Sequence, residues 1–235
     1  MSEEIHKGAL YIVSTPIGNL DDITVRATKI LGAVDVIAAE DTRTTGVLLD
    51  RLGIRKPLVS YFSQNEKRRI PGLLARLKAG EAIGLVTDAG TPGISDPAYA
   101  LIRGAVAAGI PVIPVPGASA LLAALVMSGL PTDRFVFEGF LPMKKGRKTR
   151  LETLAREERT MIIYESPHRI LRTLEDVLAV MGDRHVAVAR EITKKFEESL
   201  RGPVSEVVHT LRSREPRGEY VLVIAGTSYR AGPPT

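Results

Sequence analysis

The stretch Leu85–Pro97 constrains the fold of this chain more than any other part of the sequence. It begins as the end of an apolar strand, breaks into the turn-forming segment Asp88–Gly93, and resumes as a helix at Pro97. Asp96 before Pro97 is a helix start signal, because aspartate caps a first turn and proline fits the first helical position. The stretch therefore predicts a strand, a loop and a helix, with loop backbone groups available to a ligand.

Two further loops, Ser14–Leu20 and Pro116–Ser119, repeat this design of strand, Pro/Gly-rich turn and helix. The alternation is typical of an α/β domain with a mostly parallel sheet, in which such loops gather at one edge and bind small ligands. Neither GxGxxG nor GxxxxGK[ST] occurs, so the fingerprints of dinucleotide and P-loop phosphate sites are missing. An adenosine-like ligand held by backbone groups fits these loops better.

The segment Gly129–Thr132 predicts a linker, which divides the 235 residues into two α/β domains, 1–131 and 132–235. The first domain carries the Pro/Gly loops. In the second we expect helices near 149–157 and 166–181, and strands at 134–138, 160–164, 185–190 and 219–225.

Composition and charge limit the class of protein. The chain has no cysteine, four scattered histidines and no apolar run of the ~20 residues that a membrane helix needs, so we expect no metal and no membrane. A secretory signal is not apparent at the first residues, and we expect a cytoplasmic protein. Residues 132–235 hold 19 basic and 15 acidic side chains, against 13 and 12 before them. This excess suits a polyanionic partner.

Six motifs spread along nearly the whole chain resemble those of the ribosomal RNA small subunit methyltransferase I family: Leu10–Leu20, Ala39–Arg43, Thr87–Pro92, Tyr164–Arg169, Ala189–Lys194 and Arg217–Val221. The resemblance implies a two-domain tetrapyrrole-methylase-like fold with S-adenosylmethionine in a cleft between the domains, and a homodimer. It also implies methylation of the ribose 2′-hydroxyl of a cytidine in the decoding region of 16S ribosomal RNA, either free or within the small ribosomal subunit.

Carried over residue by residue, the resemblance implies a set of cofactor contacts. Pro16 would shape the first loop, and Ser119 and Ala120 would lie at the amino-acid or ribose end. The other implied contacts are Asp88 and Thr91 in the first domain, and Tyr164, Ala189 and Tyr220, which would close over the adenine. Turn formation or capping, and core packing for the tyrosines, remain alternatives. Ala118 stands where the family usually has a second proline.

Methyl transfer to a ribose hydroxyl gains from a base or hydrogen-bond acceptor beside this poor nucleophile. Glu40 and Asp41 follow a predicted strand, and Glu191 is the candidate in the second domain. Arg43 and Lys194, together with Arg190, suit gripping phosphates or orienting the acceptor. Structural ion pairs are the alternative for each of these charges, and the sequence does not choose the base.

The segment Lys144–Arg150 is the densest basic stretch of the chain, and it predicts an RNA phosphate contact through Lys144, Lys145, Arg147, Lys148 and Arg150. The alternative is a solvated loop entering a helix. At the level of function, a tetrapyrrole C-methyltransferase and a catalytically inactive RNA-binding relative are the two alternatives to an RNA methyltransferase.

Overall fold

A computed structural model of the chain describes residues 5–230 and residue 232. Its internal contacts divide the chain between Ser119 and Ala120 into two units, which we describe one at a time. None of the helices in the described part is long and apolar enough to cross a membrane.

The first unit contains a parallel sheet with the strand order β3-β2-β4-β1-β5. Its strands are β1 (Leu10–Val13), β2 (Val36–Ala39), β3 (Leu58–Ser60), β4 (Ile83–Val86) and β5 (Val112–Val115). Its helices are α1 (Val25–Ala33), α2 (Thr42–Arg51), α3 (Glu66–Lys78) and α4 (Ala98–Ala107), and a short 3₁₀ helix spans Leu20–Asp22.

Strand β1 shows why this sheet forms. All of its residues are buried, and successive side chains enter opposite cores: Tyr11 and Val13 lie in one, Leu10 and Ile12 in the other. A central parallel strand covered on both faces is expected to be continuously apolar, as the sequence is. The predicted parallel α/β character of this half is confirmed.

Helix starts in the first unit follow capping rules. The hydroxyl of Thr24 accepts a hydrogen bond from the Ala27 backbone N–H ahead of helix α1. The carboxylate of Asp96 accepts one from the Ala98 N–H at the start of α4, and it also accepts from Gly93 N–H, closing the preceding loop. The N-cap residue of α4 is Pro97, one residue later than predicted, although the Asp96 carboxylate does bond the first turn and closes the preceding loop.

The second unit contains a mixed sheet with the strand order β6-β7-β10-β8-β9, in which only β6 and β7 run parallel. Its strands are β6 (Phe135–Phe140), β7 (Thr160–Glu165), β8 (His185–Arg190), β9 (Glu198–Pro203) and β10 (Tyr220–Ile224). Its helices are α5 (Ala120–Ser128), α6 (Arg147–Leu154), α7 (Ile170–Met181) and α8 (Val204–Arg212).

Helix α5 packs on strands β10, β8 and β7, which is why the division falls at Ser119 and not at the expected residue 131. The opposite face of the sheet carries a core that includes Met161, Ile163 and Leu222 together with apolar residues of helices α6, α7 and α8. Each face of this mixed sheet is thus covered by helices.

Candidate functional site

The loops after β1 and β4 are joined in the first unit. Thr15 and Gly90 exchange backbone hydrogen bonds of 2.9 and 3.1 Å, and the hydroxyls of Ser14 and Thr91 lie 2.8 Å apart. The Thr15 hydroxyl also donates to the Thr87 carbonyl oxygen at 3.1 Å. The two Pro/Gly loops therefore form one rigid surface at the carboxyl ends of their strands.

The loop after β5 lies against the same surface. A Cβ atom at Gly117 would come within 2.8 Å of the Ser14 Cβ, and one at Gly90, where φ is +83°, would lie 3.9 Å from the Ala118 carbonyl oxygen. The first of these approaches is closer than a side chain tolerates, so a glycine is needed at residue 117. Pro16 is buried directly after the Thr15 bridge. All three predicted loops therefore meet, as expected for this edge of a parallel sheet.

Carboxylates connect the loops after β2 and β4. Glu40 accepts a 2.5 Å hydrogen bond from the Thr87 hydroxyl and a 3.4 Å bond from the Asp88 backbone N–H, both at Oε2. In return, Oδ1 of Asp88 accepts from the Asp41 backbone N–H at 3.1 Å. Burial and the negative charge of Glu40 raise the pKa of Asp88. The Glu40 and Asp88 carboxylates thus tie the loops after β2 and β4 together through backbone N–H groups, and they influence each other's charge.

The side chains of Asp41 and Arg43 form an ion pair with each other. The Arg43 guanidinium donates to both carboxylate oxygens of Asp41, and the Arg43 backbone N–H donates to Oδ1 at the start of helix α2. These bonds lower the pKa of Asp41 to about 2 and raise that of Arg43. The alternative of a structural ion pair and helix cap describes the contacts of both side chains.

In the second unit, Tyr164 and Ala189 lie on one face of the sheet, where both pair with Val221 across adjacent strands. Tyr220 is shifted by one residue on β10 and points to the opposite face, into the core beneath helices α7 and α8. The structure therefore separates Tyr220 from the other two, because neighbouring residues of a strand face opposite sides. For Tyr220, the alternative of core packing describes what the structure shows.

The Tyr164 ring stacks edge-on against Phe137 and Phe140, with centroids 4.9 and 5.8 Å away. Burial raises the pKa of its hydroxyl. Ser119 ends the last loop of the first unit, while Ala120 begins helix α5 of the second.

Glu191 and Lys194 form a tight cluster with Glu219 after β8. The Lys194 ammonium lies 3.0 Å from Glu191 Oε1 and 2.8 Å from Glu219 Oε2, and the Glu219 backbone N–H donates to the same Glu191 oxygen. Burial of Glu191 opposes ionisation, but these donors outweigh it and lower its pKa. Glu191 is thus a carboxylate held ionised by local partners, in a left-handed backbone conformation with φ +50°.

The side chains of the basic segment Lys144–Arg150 differ in burial. Arg147 is buried, and its guanidinium donates to Asp176, to the Thr173 hydroxyl and to the Pro142 carbonyl oxygen. The predicted phosphate contact is wrong for Arg147, since helix α6 directs this position into the protein against helix α7. Lys144 and Lys145 are exposed.

Lys148 lies 3.8 Å from Glu152 on an exposed surface, and Arg150 pairs with Glu138 while remaining partly exposed. Four of the five predicted cations are therefore at the surface. Across residues 5–230 and 232, no three histidine, cysteine, aspartate or glutamate side chains are placed as metal ligands would be.

Comparison with known proteins agrees with this architecture. Residues 9–208 match the family model for Tetrapyrrole (Corrin/Porphyrin) Methylases. The chain is 53% identical to a Synechocystis protein named ribosomal RNA small subunit methyltransferase I, over 94% of this chain and 80% of that one. A Thermotoga maritima protein of the same name is 49% identical, over 93% and 99%. The chain belongs to the ribosomal RNA small subunit methyltransferase I family.

Similarity to solved structures shows that this chain has the tetrapyrrole methylase fold. The cobalt precorrin-4 methyltransferase CbiF superposes with a TM-score of 0.68 at 18% identity, covering 95% of this chain and 98% of that one. The uroporphyrin-III C-methyltransferase of Thermus thermophilus, complexed with S-adenosyl homocysteine, gives 0.65 at 21% identity, covering 92% and 97%. The predicted fold class is confirmed.

Several residues that build the site were not predicted from the sequence. Thr15 and Thr87 link the loops, and they carry no clear signal because threonine before a turn is common. Glu165 and Thr173 complete the buried network around Arg147, with a 2.7 Å bond between them. Thr173 lies on the buried face of α7, and a polar residue at an otherwise apolar helical position was the available signal.

Proposed function

We propose that this protein transfers the methyl group of S-adenosylmethionine to the ribose 2′-hydroxyl of a cytidine in the decoding region of 16S ribosomal RNA, as a cytoplasmic homodimeric enzyme. The single observation that carries the proposal is the identity of about half of all residues with relatives named for the small-subunit ribosomal RNA. The joined Pro/Gly loops beside the Glu40–Asp88 pair support it from the geometry.

The first unit fits a nucleoside ligand. Its loops are joined through the Ser14 and Thr91 hydroxyls into a surface that tolerates no side chain at Gly117. The carboxylate of Asp88 is suited to accept hydrogen bonds from ribose hydroxyls. We assign Pro16, Asp88, Thr91 and Ser119 to this ligand on the first unit, and Ala120, Tyr164 and Ala189 on the second.

S-adenosylmethionine supplies an electrophilic methyl group on a sulfonium. Bound there, it would supply this methyl group for in-line displacement by the ribose oxygen, with S-adenosylhomocysteine as the leaving group and one proton to be accepted from the hydroxyl. We assign the acceptor of that proton to Glu40, because Asp41 and Glu191 are bound by cations of their own. Both hydrogen bonds that Glu40 accepts end at Oε2, and its Oε1 takes part in neither of them. Positioning by the loops supplies much of the acceleration.

Lys144, Lys145, Lys148 and Arg150 are proposed to hold RNA phosphates. These side chains lie at the surface of the second unit, in the part of the chain with the larger positive charge. Arg43 and Lys194, which the sequence suggested for orienting the acceptor, are engaged in ion pairs and serve to fix their loops.

An assay with radiolabelled S-adenosylmethionine tests the function. The protein is incubated separately with 16S ribosomal RNA, with small ribosomal subunits and with a uroporphyrinogen. We expect label in RNA, in one cytidine whose 3′ phosphodiester resists alkali because the 2′-hydroxyl is methylated. Label in the porphyrinogen alone would show a tetrapyrrole methyltransferase. RNA binding without label anywhere would show an inactive relative.

A further inference from the structure

A groove of about 580 Å³ lies along strand β6 and helix α6. Strand β6 is at the edge of its sheet, so the groove opens beside a strand that has a neighbour on one side only. The lining combines aromatic and apolar surface from Phe140 and Pro142 with polar groups of Glu138, Thr149 and Arg150. None of the residues assigned above to S-adenosylmethionine lines it.

A β-bulge sets the direction of Phe140. The pairing of β6 with β7 shifts between Phe137 and Phe140, and Gly139 between them has φ +61°. Residues three apart in a regular strand face opposite sides, yet both phenylalanine rings contact Tyr164. Bulges beside functional sites commonly redirect a side chain in this way. Phe140 is left 55% exposed, next to a residue proposed to contact the methyl donor.

The polar side of the groove presents a fixed acceptor and donors. The Glu138 side chain is 6% exposed, and Nε and Nη2 of Arg150 both donate to its Oε2. The other carboxylate oxygen takes no part in these two bonds. Arg150 is nearly half exposed and carries further N–H donors. Phe140 and the Glu138–Arg150 pair all line this groove, so a base that enters it finds an aromatic residue, a carboxylate and a guanidinium within one site.

A buried network holds the cationic loop beside this groove. Arg147 binds the Pro142 carbonyl oxygen and Asp176, and Arg169 binds the Leu141 carbonyl oxygen at 2.7 Å. These bonds anchor both ends of the loop that exposes Lys144 and Lys145. Exposed Lys144 and Lys145 thus lie on a short loop between two lining residues of the groove, Pro142 and Gly146.

We propose that this groove binds one unpaired nucleobase of the RNA substrate, stacked on Phe140. Glu138 accepts a hydrogen bond from an exocyclic amine of that base, and the adjoining phosphates lie against Lys144 and Lys145. Stacking on an aromatic ring accepts any base, whereas a carboxylate acceptor favours bases that carry an amine. The inference rests on the proposed function and adds to it a base-selective subsite on the second unit.

The chain contains no tryptophan, so Phe140→Trp creates a single fluorescent reporter in the groove. Oligocytidylate, oligouridylate and an abasic ribose-phosphate strand of equal length serve as probes. We expect quenching by the base-bearing strands, at lower concentration with cytidine than with uridine, and none with the abasic strand. Glu138→Gln in the same background should remove the difference between cytidine and uridine, which differ in their group at position 4.

Phe196→Trp is the matched control, because Phe196 is also an exposed phenylalanine of the second unit, at 63%. Its fluorescence should not respond to these strands. Equal quenching at both positions, or by the abasic strand, overturns the inference, since nearby RNA without stacking would produce it.

Affinity measurements supply a second test with the full chain. Phe140→Ala should weaken binding of 16S ribosomal RNA by roughly 5- to 150-fold, the range expected for one stacked base. Phe140→Tyr keeps an aromatic ring and should bind the RNA with wild-type affinity. If the wild-type protein methylates the RNA while Phe140→Ala binds it unchanged, the subsite is refuted and the function stands. If the wild-type protein neither binds nor methylates RNA, both the base subsite and the proposed function are refuted. Should Phe140→Ala fail to fold, the tryptophan titrations decide.

Discussion

At the scale of single residues, Asp88 combines two properties that mutation can separate. Its carboxylate accepts the Asp41 backbone N–H, and its pKa is raised by burial and by Glu40. A raised pKa means that the folded state favours protonated Asp88, so the stability that this preference contributes is lost as pH rises. Ionisation of Asp88 therefore costs the folded state some stability.

Asp88→Ala should weaken S-adenosylmethionine binding by about 1–3 kcal/mol, because donors of the ligand lose their acceptor. Calorimetry should also show wild-type affinity falling with acidification at pH values above the ordinary 3.8 of an aspartate. Asp88→Asn should not lower the Tm at neutral pH. Asp50→Ala, an exposed position on helix α2, is the control. Unchanged affinity in Asp88→Ala would reduce Asp88 to a turn residue.

Gly218 is a second residue whose role is sterically defined. Its φ is +82°, and a Cβ there would lie 2.5 Å from Cδ of Glu191. Gly218→Ala should therefore lose about 1–3 kcal/mol of folding stability in urea titrations. Gly129→Ala is the control, because Gly129 has φ +75° with open space around it. Adding Glu191→Ala should recover part of the loss; equal losses at the two glycines would show backbone strain alone.

At the scale of elements, helices α6 and α7 are joined by the Arg147 network. Arg147→Met should lower the free energy of unfolding by about 1–3 kcal/mol, since Thr173 and Asp176 lose a buried charged donor. Lys145→Met, in the exposed loop before helix α6, should leave urea unfolding unchanged. If Arg147→Met folds with wild-type stability but binds RNA with a smaller salt dependence, Arg147 binds a phosphate and the network does not stabilise the fold.

At the scale of the whole molecule, each unit carries an exposed cationic surface, and only that of the second unit is proposed to bind RNA. Replacing Lys144, Lys145 and Lys148 by alanine should reduce the slope of log affinity against log salt by roughly 0.7–0.9 for each phosphate that the protein no longer neutralises. Replacing Lys67, Arg68 and Arg69, an exposed run on helix α3 of the first unit, removes the same charge. Filter binding of 16S ribosomal RNA at several salt concentrations should respond to the first set only. Equal responses would indicate attraction by net charge without a defined surface.

The local architecture of the chain follows from its sequence. Strand β8 has the predicted bounds, and the other strands and helices predicted for the second domain are present with shifts of a few residues at their ends. Strand β9 and helix α8 were not predicted. Strand β9 is a polar edge strand that is recognisable only by its pairing with β8. Helix α8 did have a signal, apolar residues at Val204, Val207, Val208 and Leu211, which is helical spacing.

What the sequence by itself determined is the family, the alternation of strands and helices, and the three loops that meet beside Glu40 and Asp88. Apolar runs and turn residues act locally, so they can be read without knowing the fold. Only the tertiary structure decided that Arg147 points inward, that Tyr220 faces away from Tyr164, and that the second sheet is mixed. Those outcomes depend on which strands pair, in which register, and on which helix covers each face. Such contacts join residues far apart in the chain, and no local pattern encodes them.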